Sequence, residues 1–141
     1  MKINITAFPQ FKIEGYQNFE SLEQFKASMQ MYSEPIEEIQ IVGAALNKLP
    51  PQKFNEVFTF IFKNLPKDAE IFIQAMDIDM VAQKIAIGEL ALPDINRLLY
   101  DISKGAYSLR ALNEALISSG FEIITKGYTN LDFFIRAYKI H

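Results

Sequence analysis

Few residues in this chain are of types that could carry out acid–base or metal chemistry. Asp77 and Asp79 form an acid-x-acid pair at the end of a predicted strand, which suggests either a hard cation or, as we expect, solvated carboxylates that begin a helix. Glu37 and Glu38 are adjacent, so on a strand they point to opposite faces and cannot share a proton. The only histidine is His141, the last residue of the 141. Since terminal residues are seldom held in a site, we expect neither a histidine base nor a Ser-His-Asp triad.

Composition excludes several further classes of protein. The chain has no cysteine and therefore no disulfide, thiolate nucleophile or cysteine-based zinc site, which favours a cytoplasmic location. Its formal net charge is -3, and its lysines are scattered, so we expect no nucleic-acid partner. No apolar run is long enough to span a bilayer, so we expect no membrane partner. Half of the residues are hydrophobic and 22% are charged, as in one globular domain covering residues 1–141.

Aromatic residues suggest surfaces for ligands or partners. Tyr100 and Tyr107 flank a glycine-containing loop, where they could shape a substrate site, although buried or interface tyrosines are commoner. Phe60 lies off the apolar stripe of its predicted helix and is expected in an exposed apolar patch. The chain has twelve phenylalanines, which favours burial of one face against a second copy or another protein.

Hydrophobic periodicity predicts strands alternating with helices. Residues 36–45 form a nearly continuous apolar run, as expected for a central strand covered on both faces. Ser21 and Ser108 are predicted N-caps, and the helix containing residues 93–102 is expected to bury a stripe that includes Leu98 and Ile102. The predicted strands are 2–8, a short one within 10–19, 36–45, 69–75, 121–125 and 131–140, and the predicted helices are 20–31, from 50 through 62, 80–90, 93–102 and 108–120.

This order of elements implies a mostly parallel sheet with one antiparallel edge, because parallel neighbours need helical crossovers and a terminal hairpin does not. The predicted fold class is therefore α/β. Gly120 in Ser119-Gly120-Phe121 fits a left-handed end to the last helix, and Phe121 fits the apolar contact that accompanies such an end before the hairpin.

Several strings resemble the small class I S-adenosylmethionine (SAM) methyltransferases. Asn64 to Ala69 stands where that family has a Pro-Gly-Gly turn, Ser119-Gly120-Phe121 resembles its entry to the terminal hairpin, and Ala137-Tyr138-Lys139 resembles the end of its final strand. The resemblance is clearest over residues 36–139. It implies a Rossmann-like three-layer sandwich with a mostly parallel sheet and a C-terminal antiparallel hairpin.

The resemblance also locates a cofactor cleft and a departure from the family. It implies that SAM or S-adenosylhomocysteine would lie against Thr6, Ala7, Phe8, Glu20 and Asn47, with Glu20 at the acidic position that accepts the ribose hydroxyls. The alternative for Glu20, which we favour, is an ordinary acid in the first turn of the helix that follows. The family's first strand ends in Gly-x-Gly, whereas this one ends in Thr6-Ala7-Phe8-Pro9. Phe8 and Pro9 put bulk where the glycines let the cofactor approach the backbone.

Three functions are compatible with this pattern. The leading hypothesis is a degenerate methyltransferase-like domain with a binding or assembly role and no methyl transfer. The alternative is an active SAM-dependent methyltransferase for a small acceptor, since positioning supplies much of that chemistry. A third hypothesis is a structural subunit that pairs with an active methyltransferase. No catalytic residue and no metal ligand is assigned.

Overall fold

The computed structural model describes residues 1–140 of the chain. Within them, one six-stranded sheet has the strand order β2-β1-β3-β4-β6-β5. Strands β1 to β4 are parallel, and β6 is antiparallel to both β4 and β5. The predicted α/β class with a C-terminal antiparallel hairpin is confirmed. The strands are β1 (Lys2–Thr6), β2 (Gln17–Phe19), β3 (Glu38–Val42), β4 (Glu70–Met76), β5 (Phe121–Thr129) and β6 (Asp132–Lys139), and the helices are α1 (Leu22–Ser28), α2 (Pro51–Asn64), α3 (Ile78–Ala86), α4 (Leu92–Asn96) and α5 (Leu109–Ser118).

One face of the sheet carries the hydrophobic core. Alternate residues of the four central strands are fully buried there, because period-two alternation puts them on one side of the pleat. Helices α1, α2 and α5 contribute their apolar faces to the same cluster. Lys139 is buried at the edge of this core, where its ammonium donates to the Phe62 and Leu65 carbonyls at 2.6 Å each. That places a cation at the C-terminus of α2, the negative end of the helix dipole.

The opposite face of the sheet is only half-covered, because the first crossover is short. Strands β1 and β2 are parallel neighbours joined by residues 7–16, a segment that holds a 3-10 turn (Pro9–Phe11) and no α-helix. Parallel strands usually need about a dozen residues or more, most often with a helix that covers the sheet. Here the segment itself lies on the sheet, since the buried Asn4 side chain donates from β1 to the Phe11 carbonyl at 3.0 Å. We call this side of the sheet the open face.

Side chains on the open face suit contact with water. Tyr16 donates to the Glu38 carboxylate at 3.0 Å. Arg136 donates to the Glu70 carboxylate at 3.2 Å, and its guanidinium lies 4.9 Å from the centre of the Phe72 ring. These polar residues alternate with the buried isoleucines of the same strands. The expectation that residues 36–45 form a strand covered on both faces is therefore wrong.

Local predictions were met at helix starts and missed around residues 93–102. Ser21 and Ser108 accept the N–H groups of Gln24 and Ala111, so both are N-caps as predicted. The expected single helix with a buried stripe is instead α4 followed by π-helical turns (Arg97–Ile102), and none of its residues is buried. The last hairpin is also tighter than predicted, because β5 continues to Thr129.

No helix formed by the described residues 1–140 is long and apolar enough to cross a membrane.

Candidate functional site

The strand order reverses between β1 and β3, and open α/β sheets bind ligands in the crevice outside the strand ends at such a point. Here that crevice is bridged by the chain itself. The Ala7 N–H donates to the Gly43 carbonyl at 3.1 Å, beyond the ends of both strands. Gly43 has a φ of 55°, and a Cβ added to it would meet Thr6 Oγ1 at 2.1 Å. The close approach that this glycine permits is thus occupied by Thr6.

A tight turn begins at Thr6, beside the crevice. Thr6 Oγ1 accepts the Phe8 N–H at 3.2 Å, which folds the chain back immediately after β1. The Phe8 and Phe11 rings lie 6.1 Å apart, and Phe11 approaches the position that a Gly43 side chain would take. No α-helix begins after β1 in this segment, so the α-helix N-terminus whose backbone N–H groups usually bind phosphate at a strand–helix turn is not formed there.

The open face contains a cavity of about 830 Å³, and Phe8, Gly43 and Ala44 at the crevice are among the residues that line it. Small-molecule sites usually have volumes of about 300–1,000 Å³. Its floor is the open face of β3 and β4, one wall is the short crossover, and the others come from the π-helical turns and the β5–β6 turn. We call it the open-face cavity. Its lining includes Phe8, Phe11, Lys12, Ile13, Gln40, Val42, Asn47, Phe72, Gln74, Leu98, Ile102 and Asp132.

Asp132 is the only carboxylate among the residues that line this cavity. Gln74 donates to its Oδ2 at 3.3 Å. Burial raises the pKa of the Asp132 carboxyl, and the hydrogen bond from Gln74 opposes that effect. Sequence analysis did not single out Asp132, although an acid at an otherwise apolar strand start was a signal that could have found it.

Asn47 also lines the cavity, but its polar atoms are used inside the protein. Its Oδ1 accepts the Met76 N–H at 2.9 Å, and its Nδ2 donates to the Met76 carbonyl at 3.3 Å. Its own carbonyl accepts the N–H groups of Lys104 and Gly105 at 2.7 and 3.1 Å. Asn47 therefore ties the segment after β3 to the end of β4 and to the loop before α5.

Asp77 is fully buried, contrary to the expectation of a solvated helix-start carboxylate. Its Oδ1 accepts the N–H groups of Asp79 and Met80 at 2.8 and 3.0 Å, and its Oδ2 accepts the Leu109 N–H at 2.9 Å. One carboxylate thus caps α3 and also binds the first N–H of α5, the helix that Ser108 caps. Asp79 is bound instead by exposed Arg110 through two hydrogen bonds, and residues 1–140 hold no group of three or more potential metal ligands.

No family model and no curated protein sequence matches this chain. Solved structures do match it. An O-methyltransferase family protein from Burkholderia thailandensis superposes with a TM-score of 0.59 and 8% identity, over 89% of this chain and 36% of that protein. The glycopeptide N-methyltransferase MtfA, in complex with SAM, superposes with a TM-score of 0.57 and 8% identity, over 99% of this chain and 81% of that protein. A SAM-dependent methyltransferase from Methanosarcina mazei superposes with a TM-score of 0.55 and 13% identity, over 99% of this chain and 92% of that protein.

The chain has a class I SAM methyltransferase-like fold. At these identities the likeness concerns the fold alone. This methyltransferase-like chain spans 31% of an O-methyltransferase family 2 protein from Planctomyces limnophilus and 36% of the Burkholderia protein, about a third of each.

The methyltransferase-like fold brings together only some of the predicted cleft residues. Phe8 and Asn47 line the open-face cavity, and Thr6 and Ala7 bridge the crevice beside it. Glu20 is not among the cavity residues. It is exposed just before the N-cap of α1, and its backbone N–H donates to the Gln24 side chain at 2.7 Å.

The aromatic residues divide in the same way. Tyr107 is buried and donates to the Leu49 carbonyl at 2.6 Å, as the commoner interpretation of such a tyrosine predicts. Burial raises the pKa of Tyr107 to about 12. Tyr100 is 78% exposed and does not line the cavity. Phe60 is half-buried, with the Lys26 ammonium 5.6 Å from its ring centre. His141 lies outside the described residues.

Proposed function

We propose that this methyltransferase-like domain does not transfer methyl groups and has a binding or assembly role. The observation that carries the proposal is the bridged crevice between β1 and β3. There Thr6 Oγ1 occupies the space beside Gly43, and the Ala7 N–H is already bonded to the Gly43 carbonyl. A nucleoside cofactor in a doubly wound sheet needs that space and those backbone groups.

The residues around the crevice do not suit SAM in other respects. The Phe8 and Phe11 rings lie where a glycine loop would leave room, and the segment offers no helix N-terminus. Glu20 lies apart from the cavity lining, and the Asn47 amide is engaged by Met76. Few polar groups near the crevice are therefore free to orient the ribose or the amino-acid end of the cofactor.

Isothermal titration calorimetry with SAM and with S-adenosylhomocysteine tests this proposal. We expect no saturable heat with either compound at millimolar concentration. MtfA, whose structure contains SAM, is the positive control, and circular dichroism of this chain verifies that the titrated protein is folded. Binding with a micromolar dissociation constant would refute the proposal.

One observation favours the alternative, an active SAM-dependent methyltransferase for a small acceptor. The open-face cavity has a volume of about 830 Å³ and is bordered by Phe8 at the end of β1. A cofactor that displaced the Phe8 ring could extend into it. A crystal structure of the chain grown with S-adenosylhomocysteine decides this point: an adenosyl group seated beside Ala7 supports the alternative, and an unmoved Phe8 ring with no ligand excludes it.

An assembly role predicts a second copy or another protein as partner. Several exposed apolar side chains lie in or next to α3 and α4, where a partner would shield them from water. These are Ile85, Ile87, Leu92 and Tyr100. Sedimentation of the purified chain at two concentrations tests self-association directly.

A further inference from the structure

The open-face cavity combines apolar walls with a single acidic group. Aromatic and aliphatic side chains form most of its surface, including Phe8, Phe11, Phe72 and Leu98. It crosses the sheet from the short crossover beside β1 to the start of β6, three strand spacings away. At about 4.8 Å per spacing, the cavity is about 14 Å wide. A ring system of one or two fused rings fits within that width.

Asp132 differs from the other carboxylates of the open face. Glu38 accepts hydrogen bonds from Tyr16 and Gln40, and Glu70 is paired with Arg136. Asp132 has only the neutral amide of Gln74, at 3.3 Å. Among residues 1–140 it forms no ion pair, and Lys12, the other charged residue of the lining, is not within salt-bridge distance of it.

A half-buried carboxylate with unused acceptor positions is best matched by a cationic donor. A carboxylate offers about four lone-pair positions, and within residues 1–140 Gln74 is the one donor that reaches the Asp132 side chain. Hydrogen bonds between an ammonium and a carboxylate are roughly twice as strong as neutral ones. Burial disfavours the charged form of the Asp132 carboxyl and raises its pKa. A cation bound beside it favours the charged form and so opposes that effect.

We propose that the open-face cavity binds a small aromatic amine, whose ring lies against Phe8, Phe11 and Phe72 and whose ammonium is bound by Asp132. The inference rests on the proposed function, because it assigns a ligand to a cavity that adjoins the crevice where SAM would lie. It does not require a catalytic group. It requires only that the cavity discriminate between a protonated amine and a neutral molecule of the same shape.

Nuclear magnetic resonance titration of the 15N-labelled chain tests the inference with two probes of matched shape. Tryptamine carries the ammonium, and tryptophol has a hydroxyl in its place. We expect tryptamine to shift the amide signals of Val42, Gln74 and Asp132 and to bind at least about tenfold more tightly than tryptophol. In Asp132→Asn the preference should fall to about twofold or less. In the control Glu70→Gln, which alters a carboxylate outside the cavity, it should be unchanged.

Each remaining outcome overturns the inference. The inference is wrong if the two probes bind with equal affinity or if the preference for tryptamine survives Asp132→Asn. It is also wrong if the shifts are confined to other parts of the chain or if millimolar tryptamine causes none. SAM added to the same labelled protein separates this failure from failure of the proposed function. Shifts at Ala7 and Gly43 caused by SAM would refute the proposed function, whereas silence with SAM together with silence with tryptamine refutes only the inference.

Discussion

Replacement of Asp77 by alanine should destabilise the domain more than any other single change to a carboxylate. The Asp77 side chain is fully buried and accepts three backbone N–H groups, two at the start of α3 and one at the start of α5. The variant Asp77→Ala would leave all three donors without this acceptor. Because Asp77 and Leu109 are 32 positions apart in sequence, the substitution removes a tertiary link as well as the N-cap of α3.

The size of the effect follows from these contacts. Loss of the N-cap of α3 costs about 1 kcal/mol. The Leu109 N–H is buried, and an unsatisfied buried donor adds about 1–2 kcal/mol. The expected loss is therefore about 2–3 kcal/mol, a large share of the roughly 5–15 kcal/mol that stabilises an ordinary domain. Asp77→Asn keeps an oxygen for α3 but turns an amide N–H toward Leu109, so we expect about half that loss.

Urea unfolding followed by circular dichroism measures these differences as changes in the free energy of unfolding. The matched control is Asp79→Ala, two residues away. Asp79 is paired only with the exposed Arg110 side chain, and exposed pairs contribute less than about 1 kcal/mol. If Asp77→Ala costs no more than Asp79→Ala, the carboxylate does not link the two helices and the reasoning is wrong.

Three further changes test the geometry around the site. Tyr107→Phe should cost about 1–2 kcal/mol in urea unfolding, since it leaves the buried Leu49 carbonyl without its donor, and the tyrosine that titrates with a pKa of about 12 in alkaline absorbance should disappear. Burial raises the folded-state pKa of Asp132, so its contribution to stability is present below the unfolded value and lost as pH rises through the folded one. Asp132→Asn should therefore have a larger free energy of unfolding than the parent at neutral pH, but not at a pH below the pKa of the carboxyl in the unfolded chain. An equal difference between variant and parent at the two pH values would contradict this. Gly43→Ala should lose more than about 2 kcal/mol because of the 2.1 Å contact with Thr6, and less in a Thr6→Ala background if that contact is the cause.

Features that depend on nearby residues could be predicted from the sequence. Hydrophobic periodicity predicted a helix from 50 through 62, and α2 is observed there with Phe58, Ile61 and Phe62 buried on its inner face. Ser21 and Ser108 were identified as N-caps because a cap acts within three residues of itself.

Features that depend on distant residues could not. The role of Asp77 requires Leu109, which only the folded chain brings to it. Asn47 ties itself to Met76, 29 positions later, so its amide could not be distinguished from a ligand-binding one. The stripe containing Leu98 and Ile102 has helical spacing, yet nothing in the spacing says whether another element will cover it, and its residues stay unburied.

The short first crossover explains why the open face, the cavity and the contact of Thr6 and Ala7 with Gly43 occur together. A crossover confined to residues 7–16 cannot supply a covering helix, so its backbone turns at Thr6 and lies on the sheet near Asn4. The same turn brings Thr6 and Ala7 against Gly43 between β1 and β3, and the area left uncovered becomes the cavity. Outside the cavity, the open face carries polar residues such as Glu38 and Glu70, because exposed apolar side chains there would favour association. The contact between Ala7 and Gly43 and the open-face cavity therefore both follow from the short first crossover.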